Sequence, residues 1–394
     1  MSLFALLLPA AAQGQLLLLA GDTAGTALYL NPARVWNYNH YEHSRWGVGL
    51  TLELQPRQAD GTRTGFDASV GYGLLDRQWK FGLTYRTAFG RSRSGLTQYI
   101  HLGRDYRPAG SRRLSTAPLG GLSMLAGFMS YRMVDMYVAT WGYGWQADGT
   151  KHQVDGSFGM GARLFDNQRL LYRSQGDTLR KENQFVLRWL MRLPAGLATQ
   201  VEAGAVLSDR TAVVARLLVQ YRRTVSLQPF DLRIHAQTGA TLPRTPYTYM
   251  FDLGGTWGTS LYVDGLATLH PNEFTSNLFA FANLRLQTQS ALYSYYNEWL
   301  NVGGNPRPFV QLNALWGMLW GQDADGRLAW EGLDLQAPCM GLLEPTVGID
   351  GLLRWGAVDW GVALACRLAP TQACYRWLQS RDNLMLLITA SIIN

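Results

Sequence analysis

Six histidines are the first residues to weigh for chemistry: His40, His43, His101, His152, His235 and His270. Imidazole serves near neutral pH as a metal ligand or a general base. Only His40 and His43 are close in sequence. On a strand, i and i+3 face opposite sides, and no third ligand stands nearby, so the pair does not read as a metal site. His101 with Asp105, and His235 with Asp231, are the pairings from which a hydrolase at a barrel rim would be built. A lone histidine on a polar face is more often a hydrogen-bonded filler. No G-x-S-x-G elbow, H-E-x-x-H, Walker A loop or βαβ-set G-x-G-x-x-G occurs in the chain. The chain is read as not an enzyme, with no catalytic, cofactor or metal residue assigned. Cys339, Cys366 and Cys374 form no CxxC. Cys366 and Cys374 flank a Pro-containing turn, where they either pair across a hairpin or stay as free thiols.

Charged side chains carry the richer pattern. Arg45, Glu53, Lys80, Arg86, Asp155, Arg163, Arg188, Arg192, Glu202, Arg216, Arg222, Arg233, Asp359 and Arg367 fall on the polar parity of segments in which every second residue is apolar. If those segments wall a barrel, these fourteen residues line its lumen. Inward charge sets the electrostatics of a pore, and an arginine excess favours anions. The alternative is an internal network of ion pairs and hydrogen bonds that fills a closed barrel. Glycines on the same parity let opposite walls or an inserted loop approach closely, which leans toward a partly occluded interior.

The elements that must position these residues are strands. In the stretch 66–87, Phe66, Ala68, Val70, Tyr72 and Leu74 alternate with Asp67, Ser69, Gly71 and Gly73. After Asp76-Arg77, Trp79, Phe81, Leu83 and Tyr85 alternate with Lys80, Gly82, Thr84 and Arg86. This is a hairpin with one apolar and one polar face. Similar alternation recurs to the final strand at 383–393. Two regions break it. Residues 106–132 are basic and turn-rich, then Met-rich, and read as a loop or a piece folded into the lumen, with a short helix over 119–133. Residues 241–272 hold prolines too dense for a central strand and read as loops or an inward fold around a short strand near 260–265. Phe279 and Phe281 blur the faces of the following strand, and 288–308 reads as a loop.

Bulk composition agrees. Charged residues are 16% and aromatics 12%, with 14 Trp, 19 Tyr and 42 Gly. Soluble domains carry roughly 25% charge. Mean hydropathy is −0.09, and no apolar run after the N-terminus is long enough for a spanning helix. The net charge of +7 is scattered, with no basic helical face, so no nucleic-acid partner is expected. Basic lumen walls or rims meeting anionic headgroups account for it better. Strands of about 10 residues cross a bilayer when tilted. Hydrocarbon requires every backbone N–H and C=O to pair within the protein, so the sheet must close. The expectation is an all-β, antiparallel transmembrane β-barrel of about 16 strands, with 14 as the alternative. Residues 1–20 read as a signal peptide or N-terminal stub, 21–43 as a lead-in segment, and 44–394 as the barrel.

Five stretches in order carry a resemblance: YNHYEHSRWGVGL at 38–50, YGLLDRQWKFGLTY at 72–85, PYTYMFDLGG at 246–255, HPNEFTSNLFAF at 270–281, and LLEPTVGIDGLLRWGAVDWGV at 342–362. Together they resemble the C-terminal barrel of a Bacteroidota outer-membrane family of unknown function. Its members usually carry an N-terminal carboxypeptidase-like regulatory domain, and the barrel is distantly similar to BamA-type surface antigens. The resemblance spans about 37–394, without that N-terminal domain and without a terminal aromatic after Asn394. It implies the bacterial outer membrane, with lipid and lipopolysaccharide around the barrel and protein partners in the outer membrane or periplasm. Two roles follow as expectations: a pore with a basic, partly occluded lumen, or a non-conducting scaffold working through partners in outer-membrane assembly or surface display.

Overall fold

The computed structural model describes residues 17–21, 25–30, 36–39, 43–54, 63–89, 96–108, 132–166, 182–207, 211–243, 245–246, 249–253, 266, 268, 275–300, 302–318, 339–355, 358–368 and 384–392. All the regular elements among them are strands. In chain order these are β1 (Leu17–Gly21), β2 (Thr26–Leu30), β3 (Trp36–Asn39), β4 (His43–Leu54), β5 (Arg63–Gly73), β6 (Trp79–Phe89), β7 (Leu96–Pro108) and β8 (Arg132–Ala147). Next come β9 (Thr150–Asp166), β10 (Glu182–Arg192), β11 (Leu197–Leu207), β12 (Thr211–Leu227), β13 (Phe230–Thr241), β14 (Phe251–Asp252), β15 (Thr275–Ser276) and β16 (Leu278–Thr288). The chain continues through β17 (Tyr295–Asn297), β18 (Val302–Gly304), β19 (Arg307–Met318), β20 (Cys339–Trp355), β21 (Val358–Cys366) and β22 (Leu384–Ile392).

All but β14 and β15 form one 20-stranded antiparallel sheet. The segment read as a lead-in supplies β2 and β3, which pair end to end along one edge of β4. If β2 and β3 count as one, and β1 and the small β17–β18 hairpin are set aside, the wall has sixteen positions. Neighbours in sequence are neighbours in space, so connections alternate between the two ends. Five long ones share one end: 109–131, 167–181, 242–277, 319–338 and 369–383. The other end holds tight turns at 148–149, 193–196 and 228–229, together with 289–306 and the two-residue link from β20 to β21.

The hairpin β5–β6 shows why these residues make strands. Phe66 opposes Tyr85, Val70 opposes Phe81, and Tyr72 opposes Trp79. Ring centroids lie 5.1 Å apart both for Phe66–Tyr85 and for Tyr72–Trp79. Such cross-strand aromatic pairs stabilise a sheet by a few tenths of a kcal/mol to about 1 kcal/mol each. At the turn Arg77 has φ 51°, and the Asp76 carboxylate accepts the Gln78 amide at 3.2 Å.

One face of the sheet is apolar and exposed. Val70, Phe81, Leu83, Ile100, Leu102, Leu187 and Leu284 are among the side chains left uncovered. A continuous apolar surface of this extent is unstable in water and suits hydrocarbon. The opposite face is largely buried and curls around Tyr249–Leu253, Leu266 and Thr268. Laid flat, β10 and β20 would stand about 29 Å apart at roughly 4.8 Å per strand. Yet Leu190 of β10 and Leu342 of β20 belong to one buried cluster, with Phe251, Leu253 and Leu266 among its members. The sheet is therefore barrel-shaped, with β1 and β3 along one edge and β22 along the other among the described residues.

Three irregular regions resolve differently. β7 runs on to Pro108 and β8 begins at Arg132, so the region read as a 106–132 break is shorter at both ends. The helix expected over 119–133 lies outside the described residues except for its last two positions, which are strand. The 288–308 stretch is more than a loop, because β17 and β18 form a small hairpin joined to β20. The strand expected near 260–265 and residue Cys374 lie outside the described residues.

The inner wall and the segment seated on it

Directly opposed residues of an antiparallel pair share a face. The register therefore defines a row across the inner wall. It runs Glu53, Gly65, Arg86, Tyr99, Gly142, Asp155, Arg188, Glu202, Arg216 and Thr241, from β4 to β13. Charges along it meet opposite charges. Arg86 lies 3.5 Å from Glu53 and 3.5 Å from Asp67. Arg188 lies 3.6 Å from Asp155 and 2.5 Å from Glu202, and Arg216 reaches Glu202 at 3.2 Å. Glycine has a steric reason to sit in this row. A Cβ at Gly142 would come within 2.4 Å of the Tyr99 ring, a distance no side chain tolerates.

The far end of the row joins the segment between β13 and β16. The Arg216 guanidinium stacks over Phe251 at 4.5 Å. Phe251 packs on Phe279 with centroids 4.8 Å apart at 64°. Gly239 makes room for both rings, since a Cβ there would lie 2.5 Å from Phe279 and 2.7 Å from Phe251. Leu190, Leu218, Phe279, Phe281, Leu315 and Leu342, all on the inner parity, complete a cluster with Phe251, Leu253 and Leu266. A second cluster of Val186, Val206 and Val214 receives Tyr249, whose hydroxyl donates to Gln184 at 3.0 Å.

Polar ties fix the same segment. Glu344 is fully buried and accepts the Thr268 amide at 2.8 Å and the Thr268 hydroxyl at 2.6 Å. Its other oxygen accepts Asn313 at 2.9 Å, and Asn313 in turn accepts Asn283. Arg367 donates to the Thr268 carbonyl at 3.3 Å. Ser276 donates to the Met318 carbonyl at 2.7 Å and accepts its amide at 3.0 Å. A buried carboxylate is tolerated only when it is hydrogen-bonded in this way.

The fourteen sequence-derived residues divide into groups. Glu53, Arg86, Asp155, Arg188, Glu202 and Arg216 come together in the row above. Lys80, only 1% exposed, pairs with Asp135 at 2.9 Å and Asp76 at 3.4 Å. Asp359 holds Arg354 at 2.7 Å, and Arg367 ties the segment. Arg45 is buried over Gly71, where a Cβ would come within 2.9 Å of its chain. Arg192, Arg222 and Arg233 stand exposed near the tight-turn end. Arg163 lies opposite Asp135 in the register, and its side chain is outside the described residues.

Of the histidines, His101 bonds Thr84 at 2.8 Å. His235 bonds Gln220 at 2.8 Å and meets the Phe281 ring edge-on, while Asp231 accepts Gln289 at 2.9 Å. Asp105 has no described side chain. Among the described residues no group of three or more His, Cys, Asp or Glu could hold a metal ion.

Sequence reading passed over Asp135, Arg104, Arg285, Glu344 and Asp350. Asp135 sits at a register shift in β8, where strict alternation fails. Arg104 carries lipid-side parity but bends to Asp135 at 2.9 Å and stacks on Tyr137 at 5.0 Å. Arg285 pairs with Asp350 and stacks on Phe309 at 3.7 Å. Glu344 and Asp350 lay within reach, since both fall in the 342–362 stretch that carries the family resemblance.

No known protein family and no curated protein matches the sequence. Solved structures do. BamA from Haemophilus ducreyi, lacking POTRA domains 1–3, superposes over 96% of this chain and 75% of its own, with TM-score 0.50 and 9% identity. The fold is that of a bacterial outer-membrane β-barrel. CdiB from Escherichia coli gives TM-score 0.44 at 10% identity, over 96% of this chain and 67% of its own. The siderophore receptor PirA from Acinetobacter baumannii gives 0.34 at 9%, over 89% and 58%.

Proposed function

We propose that this outer-membrane barrel is a non-conducting scaffold whose lumen is occupied by its own chain between β13 and β16, through Tyr249–Leu253, Leu266 and Thr268, and that it acts through protein partners in outer-membrane assembly or surface display. One observation supports this above others: Phe251, Leu253 and Leu266 are fully buried against the inner wall. Ion passage needs a wet, polar path, and a dry apolar cluster inside the barrel works against one. The test is conductance in a planar bilayer. The intact protein is expected to be silent. Replacing residues 246–270 with a short Gly/Ser linker should give single-channel steps. Steady steps from the intact protein would overturn the scaffold reading.

A second reading, a narrow anion-leaning pore, draws on the other half of the barrel. There the inner side chains of β4–β9 are mostly polar, as in the Thr51–Asp67, Thr84–His101 and Arg86–Glu53 contacts. Under this reading the intact protein conducts, and its reversal potential in a salt gradient favours anions. The narrower assignment to the Bacteroidota family rests on the five stretches quoted above, two of which supply Phe251, Glu344 and their neighbours.

A further inference from the structure

The connection between β16 and β19 ends in a hairpin that covers nothing. Its residues Leu292, Tyr293, Tyr295, Tyr296, Trp299 and Leu300 are all exposed, Trp299 at 97% and Tyr296 and Leu300 at 65%. Glu298 is the single charge from 289 to 306. Despite this exposure the hairpin is held in place. The Leu292 amide bonds the Pro306 carbonyl at 2.8 Å, and the Asn305 amide bonds the Gly351 carbonyl at 2.9 Å. The Tyr295 hydroxyl donates to the Leu352 carbonyl at 2.6 Å. β18 is paired to the end of β20, with Val302 opposite Trp355.

Six apolar or aromatic side chains displayed on a fixed scaffold require a cover. Their position identifies it. Leu353 opposes Trp360, and both are exposed on the lipid-facing side. Trp355 is two residues further along β20, about 7 Å at the strand rise. The hairpin therefore begins where the lipid-facing surface ends and continues the same sheet. Trp and Tyr with an aliphatic neighbour and almost no charge is the composition that partitions to the boundary between headgroups and acyl chains.

We infer that the 292–300 hairpin is an interfacial anchor that lays Trp299, Leu300 and Tyr296 into the headgroup–acyl boundary of the leaflet at the tight-turn end. This does not depend on whether the barrel conducts. The test uses the full chain in phosphatidylcholine vesicles, with lipids brominated at shallow or at deep acyl positions. Subtracting the emission of Trp299→Phe from that of the unmodified protein isolates Trp299 from the rest of the 14 tryptophans. The isolated emission is expected to be blue-shifted and to lose more intensity with shallow bromines than with deep ones. If it stays at the wavelength of a water-exposed indole, ignores both lipids and is quenched by aqueous iodide, the inference fails, and the hairpin is free to receive a protein. Equal heat-modifiable mobility of the two forms on a gel controls for folding. If the variant misfolds, the same quenching comparison made with Tyr296→Trp in the presence of Trp299 decides the question by a gain of shallow quenching.

Discussion

The two halves of the inner wall are closed by different means, and a single row shows it. Across β4–β9 one row of facing residues reads Thr51, Asp67, Thr84, His101, Thr140 and Ser157; continued into β10–β12 it reads Val186, Gly204 and Val214. The first half is polar, and contacts such as Thr51–Asp67, Thr84–His101 and Arg86–Glu53 run along the wall. The second keeps the Arg188–Glu202–Arg216 pairs but also presents apolar side chains such as Val186, Leu190, Val214 and Leu218, which another piece of chain covers. A barrel interior thus does not have to be uniformly polar. Where it is apolar, the sequence must also supply the cover, and here that cover is Tyr249, Phe251, Leu253 and Leu266, from the chain between β13 and β16.

Truncations that empty the seat or strand its charges should have the largest effects. Phe251→Ala removes a fully buried ring, and a change of that kind destabilises by about 3–5 kcal/mol. Urea unfolding of the micelle-bound barrel reads it. Phe66→Ala on the lipid face should lose clearly less, because lipid fills the space. Equal losses at the two sites would mean that the segment is not seated as described. Glu202→Ala leaves Arg188 and Arg216 without their shared carboxylate, and breaking a buried pair from one side costs about 3–5 kcal/mol.

Next in size is Leu83→Arg on the lipid face, at about 2–4 kcal/mol if Leu83 lies near the bilayer midplane. Folding yield into vesicles measures it. Glu344→Gln keeps the shape but gives up charge-assisted bonds to Thr268 and Asn313, for a loss of about 1–3 kcal/mol. It should also raise amide hydrogen exchange at Thr268, which a change confined to the polar half would not do. The smallest effect is expected at Glu53→Gln. Its partner Arg86 is about half exposed, and such pairs contribute less than about 1 kcal/mol. A larger loss there would show that the polar half is as tightly determined as the seated half.

The same contrast decided what could be read from sequence. β5 and β6 were legible because their inner faces carry Asp67, Gly71, Lys80 and Thr84 against an apolar outer face, so period two stands out. β16 was blurred for a physical reason. Phe279 and Phe281 point inward to meet the inserted segment, and apolar residues therefore occupy both faces. The start of β8 was lost for a related reason. Val134 and Asp135 are both buried where the register slips, so the strand shows no clean alternation there. Parity placed the charges on a face but could not pair them, because pairing depends on register across strands far apart in the chain. Lys80 and Asp135, which bond across an intervening strand, are 55 residues apart. Arg104 was hidden because a long side chain can end on the side opposite to its Cβ.

The inserted segment leaves from β13 and returns on β16, and these two strands are hydrogen-bonded to each other along their whole length. Just inside, β14 pairs with β15, and the Thr241 amide bonds the Asn277 carbonyl at 2.7 Å. Exit and return thus form one clasped stem on the wall. Pulling the segment out would peel Phe251 and Thr268 from their seats and open the small β14–β15 pair, but it would leave every rung between β13 and β16 in place. The filling hangs from the frame like a drawer, and the rungs of the frame do not run through it.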